Sequence, residues 1–317
     1  AITGETLLTA EELGGAAKES LRRGKDAGGG RFTVWSERSS RIGYPERFRR
    51  EVEAALEAKD FVLHYQPQID LESGKLMGAE ALLRWRTASG LRPPLEFIPQ
   101  LEQFGLIKTV GQFITEECAR QLNIWRELGL DIHAAVNVSP RQLEDESLAV
   151  CFADVVSKYN LPEGSFHVEI TETALLENTG GARMLLAEIR RLGIELALDD
   201  FGTGYSSLSH LTRYPINTIK IDRSFISNIH TSPTHAGIVT AILQMSQALG
   251  LATVAEGIET LAQADFLRAQ GCRFGQGYLL AKPMAADAFT EWATENFLPE
   301  AEAGASDEPA QPAAALA

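Results

Sequence analysis

Apolar residues recur along the chain in two patterns, one typical of amphipathic helices and one typical of short β-strands. Pro45 begins a stretch with helical spacing, which predicts a helix that ends near Ala58. Its apolar positions are Phe48, Val52, Ala55 and Leu56. Strand-like runs then follow at 61–66, 75–85, 132–138, 166–171, 194–199, 217–221, 251–255 and 272–275. A turn at 71–74 separates the first two runs, and helical stretches separate the others. This alternation predicts an α/β fold with a parallel sheet, a TIM-like (β/α)8 barrel.

Length and composition fit one large soluble domain. The chain has 317 residues, whereas a barrel of this kind typically needs about 250. Its formal charge of −14 argues against binding of duplex nucleic acid through a basic surface. The cysteines lie far apart without metal-ligand spacing, and neither a transmembrane run nor a signal peptide is recognisable. We therefore expect a cytoplasmic location, although tethering of a longer protein through regions outside this chain stays open.

The two ends of the chain differ in composition from the barrel. Thr9 can cap a helix over about 10–27, a glycine run stops it, and 31–35 has the pattern of a short strand. We therefore expect 1–41 to be an appendage with a linker and 42–298 to be the barrel. The tail, 299–317, consists largely of Ala, Glu and Pro, so we expect disorder, with a regulatory tail as the alternative.

Two adjacent carboxylates, Asp199 and Asp200, follow the apolar run 194–198. Neighbouring residues on a regular strand point to opposite faces, so both can reach one site only where the chain turns. The Gly-Thr-Gly segment at 202–204 supplies such a turn. Because two unpaired carboxylates repel one another and are costly to bury, the pair favours a divalent metal. A solvated pair that caps a helix beginning near Tyr205 is the alternative.

Polar residues also stand at or near the ends of the other strand-like runs. The carboxyl ends of barrel strands meet on one face, and enzymes with this fold keep their chemistry there. These residues are Glu80, Asn137, Glu169, Lys220, Glu256 and Gln276.

The motifs around these residues resemble those of the EAL domain, a family of cyclic di-GMP-specific phosphodiesterases. The motif that names the family stands here as Glu80-Ala-Leu82, and a loop motif stands as Asp199-Asp-Phe-Gly-Thr-Gly-Tyr-Ser-Ser-Leu208. The resemblance runs from about Phe61 to Met284. It includes Tyr65-Gln-Pro67, Phe97-Ile-Pro99, Gly105-Leu-Ile107, Asn137-Val-Ser139, Lys220-Ile-Asp222 and Glu256-Gly-Ile-Glu259.

The resemblance implies a site for two divalent ions, Mg²⁺ or Mn²⁺, which favour oxygen ligands. One ion is then bound by Glu80, Asn137, Glu169 and Asp199, and the other by Asp200. Two such ions can activate water, neutralise the phosphate and help the leaving oxygen. Calcium accepts the same oxygens in looser geometry, so we expect Ca²⁺ to inhibit.

The expected catalytic residues are Glu80, Lys220 and Glu256. By resemblance, Glu256 helps to hold and orient the hydrolytic water. Lys220 can hold that water or a non-bridging phosphate oxygen, and an ordinary strand-end lysine with a solvated head is the alternative.

Substrate contacts are expected from Gln66, Arg84 and Gln276. Arg84 shares a strand face with Glu80, and a guanidinium suits phosphate. A salt bridge on the outer rim is the alternative role for Arg84. Gln276 can position water or phosphate by hydrogen bonding.

Glu172 is expected to anchor the loop 202–207 rather than to touch a metal. In the family this loop links the second ion to a dimer interface, which implies a homodimer through about 206–211 and 225–229. The histidines show no His-Glu-x-x-His spacing, so we expect surface or satisfied core residues. They are His64, His133, His167, His210, His230 and His235.

The resemblance implies hydrolysis of cyclic di-GMP to linear 5′-pGpG, which lowers a bacterial second-messenger signal. A catalytically inactive cyclic di-GMP receptor is the alternative, although such receptors generally lack several metal ligands that this chain retains. An unrelated metal-dependent barrel enzyme is a third interpretation.

The helix, glycine turn and strand near the start resemble the end of a GGDEF (diguanylate-cyclase-type) domain, with an unrelated amphipathic helix as the alternative. The chain begins without Met. We therefore expect a piece of a longer protein with upstream GGDEF or sensory domains.

Overall fold

The structure, a computed structural model, describes residues 44–177, 181–203 and 213–298. The predicted appendage, 1–41, and the predicted tail, 299–317, lie outside these residues. Within the described part of the chain, no helix combines the length and apolar character needed to cross a membrane.

The chain divides into two compact units, Ala1–Lys59 and Asp60–Ala317. In the first unit, helix α1 (Tyr44–Glu57) buries Phe48, Val52 and Ala55, which confirms the helical pattern read from the sequence. The division falls after α1, whereas the predicted domain boundary precedes it, and the domain assignments stay predictions.

The second unit contains a closed barrel of eight strands, which confirms the predicted fold class. The strands are β1 (Phe61–Asp70), β2 (Leu76–Thr87), β4 (His133–Val138), β5 (Phe166–Thr171), β6 (Glu195–Phe201), β7 (Thr218–Ile221), β8 (Ala252–Ala255) and β9 (Phe274–Gly275). Hydrogen bonds join them in the order β1-β2-β4-β5-β6-β7-β8-β9 and then back to β1. Two short strands flank the barrel, β3 (Gly90–Arg92) beside β2 and β10 (Met284–Ala285) beside β1.

The first strand departs from the expected parallel sheet, because β1 runs antiparallel to both β2 and β9. The cause is the short connection to β2. Oδ1 of Asp70 accepts hydrogen bonds from the amides of Glu72 and Ser73, and Gly74 takes a φ of 70°. A parallel pair needs a crossover of a dozen or more residues, so this tight turn allows only an antiparallel hairpin.

Helices surround the barrel and connect most of the remaining strands among the described residues. They are α2 (Pro94–Gln103), α3 (Ile107–Glu127), α4 (Pro140–Leu143), α5 (Ser147–Tyr159), α6 (Glu172–Glu177), α7 (Ala182–Arg191), α8 (Arg223–Ile226), α9 (Pro233–Ala248), α10 (Leu261–Ala269) and α11 (Ala286–Phe297).

The main apolar core lies between the strands and this helical layer. Tyr65 of β1 packs edge-on against Trp125 of α3, with ring centroids 4.8 Å apart, and Trp125 lies 4.6 Å from Phe289 of α11. All three side chains are buried. Because the apolar side chains of the strands face outward into this layer, the alternate positions are left to line the interior of the barrel.

Candidate active site

The ammonium group of Lys220 lies at the centre of a cluster of four carboxylates. Its Nζ is 2.5 Å from Oε2 of Glu169, 2.7 Å from Oε1 of Glu256, 3.2 Å from Oε2 of Glu80 and 3.3 Å from Oδ1 of Asp199. Only 1% of the lysine side chain is exposed. The alternative of a solvated lysine head is therefore wrong.

Five segments of the barrel supply this cluster. Glu80, Glu169, Asp199 and Lys220 stand on β2, β5, β6 and β7, and Glu256 follows β8 directly. The amide of Glu256 donates to the carbonyl of Ile221, which continues the β7–β8 pairing by one step. Since β2 and β4 to β9 are parallel, residues near the carboxyl ends of β5 to β8 meet on one face of the barrel. Glu80 was expected at the end of its strand but lies inside the 12-residue β2, which continues into the hairpin with β3.

The charges in this cluster do not balance, because one ammonium faces four carboxylates. Burial and the negative charge of Glu80 raise the pKa of Glu169 well above its ordinary value, although Lys220 opposes them. Burial also raises the pKa of Glu256 to about 8. Asp200 has a raised pKa as well, through burial and the neighbouring charge of Asp199.

The pKa values of Glu80 and Lys220 are shifted in opposite directions by their shared surroundings. Burial favours the uncharged form of Glu80, but Lys220 and hydrogen bonds from Gln276 and Asn137 outweigh it, so the pKa is lowered. Burial likewise acts to lower the pKa of Lys220, yet the surrounding carboxylates raise it well above its ordinary value. Both groups are therefore held in their charged forms.

The backbone at Asp199 and Asp200 bends as the paired carboxylates require. Asp200 has a φ of 54°, and the pairing of β6 with β7 shifts register between Leu198 and Phe201. The turn thus begins at Asp200 itself, two residues before the glycine segment from which it was expected, and Gly202 continues it with a φ of 96°. Aspartate tolerates this left-handed conformation better than most residues. The alternative helix cap near Tyr205 lies outside the described residues.

Carboxamides complete the inner surface of the site. Nδ2 of Asn137 donates to Oε1 of Glu80 at 2.8 Å. Nε2 of Gln276 donates both to Oε2 of Glu80 at 2.7 Å and to Oε1 of Gln66 at 3.1 Å. The structure therefore brings Asn137, Gln66 and Gln276 together with the carboxylates.

Arg84 and Glu172 have other partners than the lysine. Arg84 is half-buried, and its Nη1 donates to the carbonyl of Leu83 at 2.9 Å. Within the described ranges Arg84 has no salt bridge, so the alternative of a rim ion pair has no support. Oε2 of Glu172 accepts from the amide of Gly202 at 3.4 Å. That contact ties α6 to the start of the loop, the place where the anchor was expected.

The chemistry of these side chains suits divalent ions. The site offers several carboxylates and the amide of Asn137, and its excess of negative charge would be offset by added cations. Among the described residues, no group of three or more His, Cys, Asp or Glu side chains is arranged to hold an ion as it stands. The carboxylate oxygens converge on Lys220 instead. The assignment of Glu80, Asn137, Glu169, Asp199 and Asp200 as ligands stays a prediction.

Sequence reasoning missed two polar residues that join this network, Gln68 and His133. Nε2 of Gln68 donates to Oε1 of Gln276 at 3.1 Å, and Nε2 of His133 lies 2.7 Å from Oε1 of Gln68. The signal was present as strand periodicity, because Gln68 is two residues from Gln66 and His133 is four residues from Asn137.

The fold and the site together define an α/β barrel whose strands carry a lysine-centred acidic site near their carboxyl ends. Residues 49–283 match the EAL domain family. The chain therefore belongs to the EAL domain family, which excludes the interpretation as an unrelated barrel enzyme.

Two curated relatives and one solved structure illustrate the similarity. Cyclic di-GMP phosphodiesterase PdeR of Escherichia coli is 39% identical over 278 residues, which cover 87% of this chain and 42% of PdeR. Bifunctional diguanylate cyclase/cyclic di-GMP phosphodiesterase MucR of Pseudomonas aeruginosa is 38% identical over 239 residues, 75% of this chain and 35% of MucR. A solved PaMucR phosphodiesterase in complex with c-di-GMP has a TM-score of 0.73 at 37% identity and covers 77% of this chain and 99% of that one. The chain thus spans less than half the length of these two curated relatives.

Proposed function

We propose that this chain is a metal-dependent phosphodiesterase that hydrolyses cyclic di-GMP to linear 5′-pGpG. In this reaction the oxygen of water bonds to phosphorus, the bond from phosphorus to the 3′ oxygen breaks, and a proton passes to that oxygen. The observation that carries the proposal is the buried cluster of Lys220 with Glu80, Glu169, Asp199 and Glu256 in a member of the EAL family. The names of PdeR and MucR and the MucR complex support the choice of substrate.

Within this cluster, Glu256 is suited to the attacking water. Its side chain is 18% exposed, whereas the other three carboxylates are 2–12% exposed, so water reaches Glu256 most readily. Lys220 holds one of its oxygens at 2.7 Å and thereby orients the carboxylate. A carboxylate with a pKa of about 8 in the metal-free protein is close to the range in which it can exchange a proton with water at neutral pH.

The implied metal ions would be held by Glu80, Asn137, Glu169, Asp199 and Asp200. When bound, divalent ions supply Lewis-acid stabilisation of the phosphate and lower the pKa of water. The chain itself orients these ligands. Lys220 fixes Glu169 and Asp199, and both Asn137 and Gln276 fix Glu80.

Substrate is positioned by side chains around the cluster. Arg84, with its half-buried guanidinium, suits a phosphate oxygen, and the carboxamides of Gln66 and Gln276 suit water or phosphate. Partial burial makes charge-assisted hydrogen bonds from Arg84 stronger than they would be in bulk water.

The rival function within the same family is a receptor that binds cyclic di-GMP without cleaving it. Incubation of the purified chain with cyclic di-GMP and Mg²⁺ or Mn²⁺, followed by chromatographic separation of nucleotides, decides between them. Appearance of pGpG that stops when a chelator is added supports the phosphodiesterase. Binding measured by calorimetry, with no product at either metal, supports the receptor.

The proposal also includes an oligomeric state, a partner domain and a location in the cell. We expect a homodimer through the region of the loop 202–207, to be measured by sedimentation. The name of MucR supports an upstream GGDEF-type partner domain in the complete protein, and a cytoplasmic location would give the enzyme access to its substrate.

A further inference from the structure

A line of hydrogen bonds leads from Glu80 down through the interior of the barrel. Gln276 donates to Glu80 at 2.7 Å, and its Oε1 accepts from Gln68 at 3.1 Å. Oε1 of Gln68 lies 2.7 Å from Nε2 of His133, the first residue of β4. The line therefore connects the site to the opposite end of the barrel.

The donor and acceptor in every hydrogen bond of this line can be deduced by starting from Gln66, the neighbour of Gln276. The carbonyl of Ala281 can only accept, so Nε2 of Gln66 faces it at 3.3 Å and Oε1 of Gln66 faces Gln276. The NH₂ group of Gln276 must then face Gln66 and Glu80, which leaves its Oε1 for Gln68. Gln68 in turn has only its Oε1 left for His133. His133 must therefore donate from Nε2.

The position of the His133 ring is itself enforced by its surroundings. It stacks on His167 with ring centroids 3.9 Å apart and an interplanar angle of 6°. It also lies over Gly78 of β2, where an added Cβ would come within 2.2 Å of Nε2. Burial, together with the neighbouring His167, lowers the pKa of His133 well below its ordinary value, so the ring is neutral and carries one N–H.

Empty space lies beside the His133 ring. A cavity of about 210 Å³ opens inside the barrel near the amino-terminal ends of the strands. Its lining includes Gln68, His133, His167, Thr218 and Lys220. Stacking fixes the plane of the ring, and the contact of Nε2 with Gln68 fixes which ring atom faces that carboxamide.

We propose that His133 and Gln68 are positioning residues of the active site: the Nε2–H of His133 orients the Gln68 carboxamide, which in turn orients Gln276 toward Glu80 and Gln66. The inference rests on the proposed phosphodiesterase function for its effect on turnover, whereas the protonated nitrogen of His133 is independent of that function.

The first test reads the tautomer directly. Long-range ¹⁵N–¹H correlation spectra of the whole chain, labelled at histidine and without ligand, distinguish the two neutral tautomers from the cation. The His133 resonances are assigned by their loss in His133→Gln. We expect neutral imidazole protonated at Nε2, and a neutral ring protonated at Nδ1 alone would overturn the inference whether or not the protein is active.

The second test measures turnover of cyclic di-GMP in variants that keep or remove the donor. His133→Phe keeps a flat ring without an N–H, and His133→Gln places an amide N–H close to the position of Nε2. We expect kcat to fall about tenfold in His133→Phe with KM within about twofold, and His133→Gln to recover most of the loss. A residue needed only for packing would give equal losses in both variants, and that result would overturn the inference.

A third variant displaces the ring without removing a polar group. Gly78→Ala puts a methyl group where the His133 ring lies, and the φ of Gly78 is not among the positive values. The matched control is Gly237→Ala, where an added Cβ meets nothing within 4 Å. We expect Gly78→Ala to lower kcat as His133→Phe does, with Gly237→Ala unchanged and both proteins folded by circular dichroism. Wild-type kcat in both Gly78→Ala and His133→Phe would overturn the inference. If the wild type shows no hydrolysis at all, the proposed function fails while the tautomer still decides the orientation.

Discussion

Two lysines of this protein make the same contact with a glutamate in different surroundings. Nζ of Lys220 lies 2.5 Å from Oε2 of Glu169 inside the barrel, and Nζ of Lys158 lies 2.5 Å from Oε1 of Glu116 on the surface. The exposed fraction of the lysine side chain is 1% in the first pair and 59% in the second.

The pKa values of the two glutamates are shifted in opposite directions. At Glu116, partial burial works to raise the pKa, but hydrogen bonds from Lys158 and Tyr159 lower it. At Glu169, burial and the charge of Glu80 raise the pKa well above its ordinary value despite Lys220. The distance in an ion pair therefore does not reveal the direction in which the pKa of its glutamate is shifted. Desolvation and the number of like charges nearby decide it.

The largest effect is expected from removal of the buried ammonium group. Lys220→Met leaves four carboxylates without their cation, and losing one partner of a buried ion pair costs about 3–5 kcal/mol. We expect the free energy of unfolding in metal-free buffer to fall by that amount, and hydrolysis to fall on the order of 10²–10³-fold, as when a charge-stabilising group is removed. Urea denaturation and a product assay measure the two quantities. Near-wild-type values in both would mean that the lysine is not the centre of the site.

Glu80→Ala is expected to separate activity from stability. Removal of one carboxylate relieves repulsion in an overcharged cluster but leaves Asn137 and Gln276 without their acceptor, so the free energy of unfolding should fall by no more than about 1–3 kcal/mol, while hydrolysis at ordinary Mg²⁺ falls at least about 100-fold. The same two assays apply. An active Glu80→Ala protein would show that the assigned metal site is wrong.

Replacement of Mg²⁺ by Ca²⁺ is expected to slow hydrolysis at least about tenfold, equivalent to 1.4 kcal/mol in the barrier. Calcium accepts the same oxygen ligands at longer distances and with looser geometry, so cyclic di-GMP should still bind. Product chromatography and equilibrium binding in each metal check this expectation. Equal rates in the two metals would contradict it.

A smaller effect is expected at Glu172, whose only described contact with the loop is the amide of Gly202. If this contact couples the loop to the position of Asp200, Glu172→Ala should raise the Mg²⁺ concentration for half-maximal rate about fivefold, the lower end of typical coupling energies. The exposed Glu188 of α7 offers a matched control as Glu188→Ala. A metal titration of both variants, beside sedimentation, tests it, and an unchanged titration for Glu172→Ala would remove the anchor role.

The smallest effect is expected from Lys158→Met, the surface counterpart of the first variant. Exposed ion pairs contribute little because water and salt screen them, so both the denaturation midpoint and the rate should match the wild type within error. A loss comparable to that of Lys220→Met would show that the comparison between buried and exposed pairs does not hold here.

Local periodicity allowed much of the fold to be predicted from the sequence. The buried stripe of α1 and the eight barrel strands follow from the spacing of apolar residues, which depends only on the helix and strand repeats. The predicted polar residues near strand ends, such as Glu169 and Lys220, do converge, because the ends of parallel strands share one face of a barrel.

The direction of the first strand and the long-range contacts were decided by the tertiary structure. The antiparallel course of β1 depends on its tight hairpin and on closure against β9, which is distant in sequence. The left-handed backbone of Asp200 accompanies the register shift against β7, and no pattern in the run 194–199 marks it.

The composition of the site shows most clearly which features follow from the sequence and which depend on the tertiary structure. The sequence by itself determined which residue types stand at the strand ends, since each type is local information. It did not determine that Lys220 would be shared among four carboxylates, or that Gln68 and His133 would join Gln276. Lys220 and Glu80 are 140 residues apart, and Gln68 and Gln276 are 208 apart. Contacts over such separations depend on strand register and on the closure of the barrel, and burial within that closed barrel then sets the charge of each group.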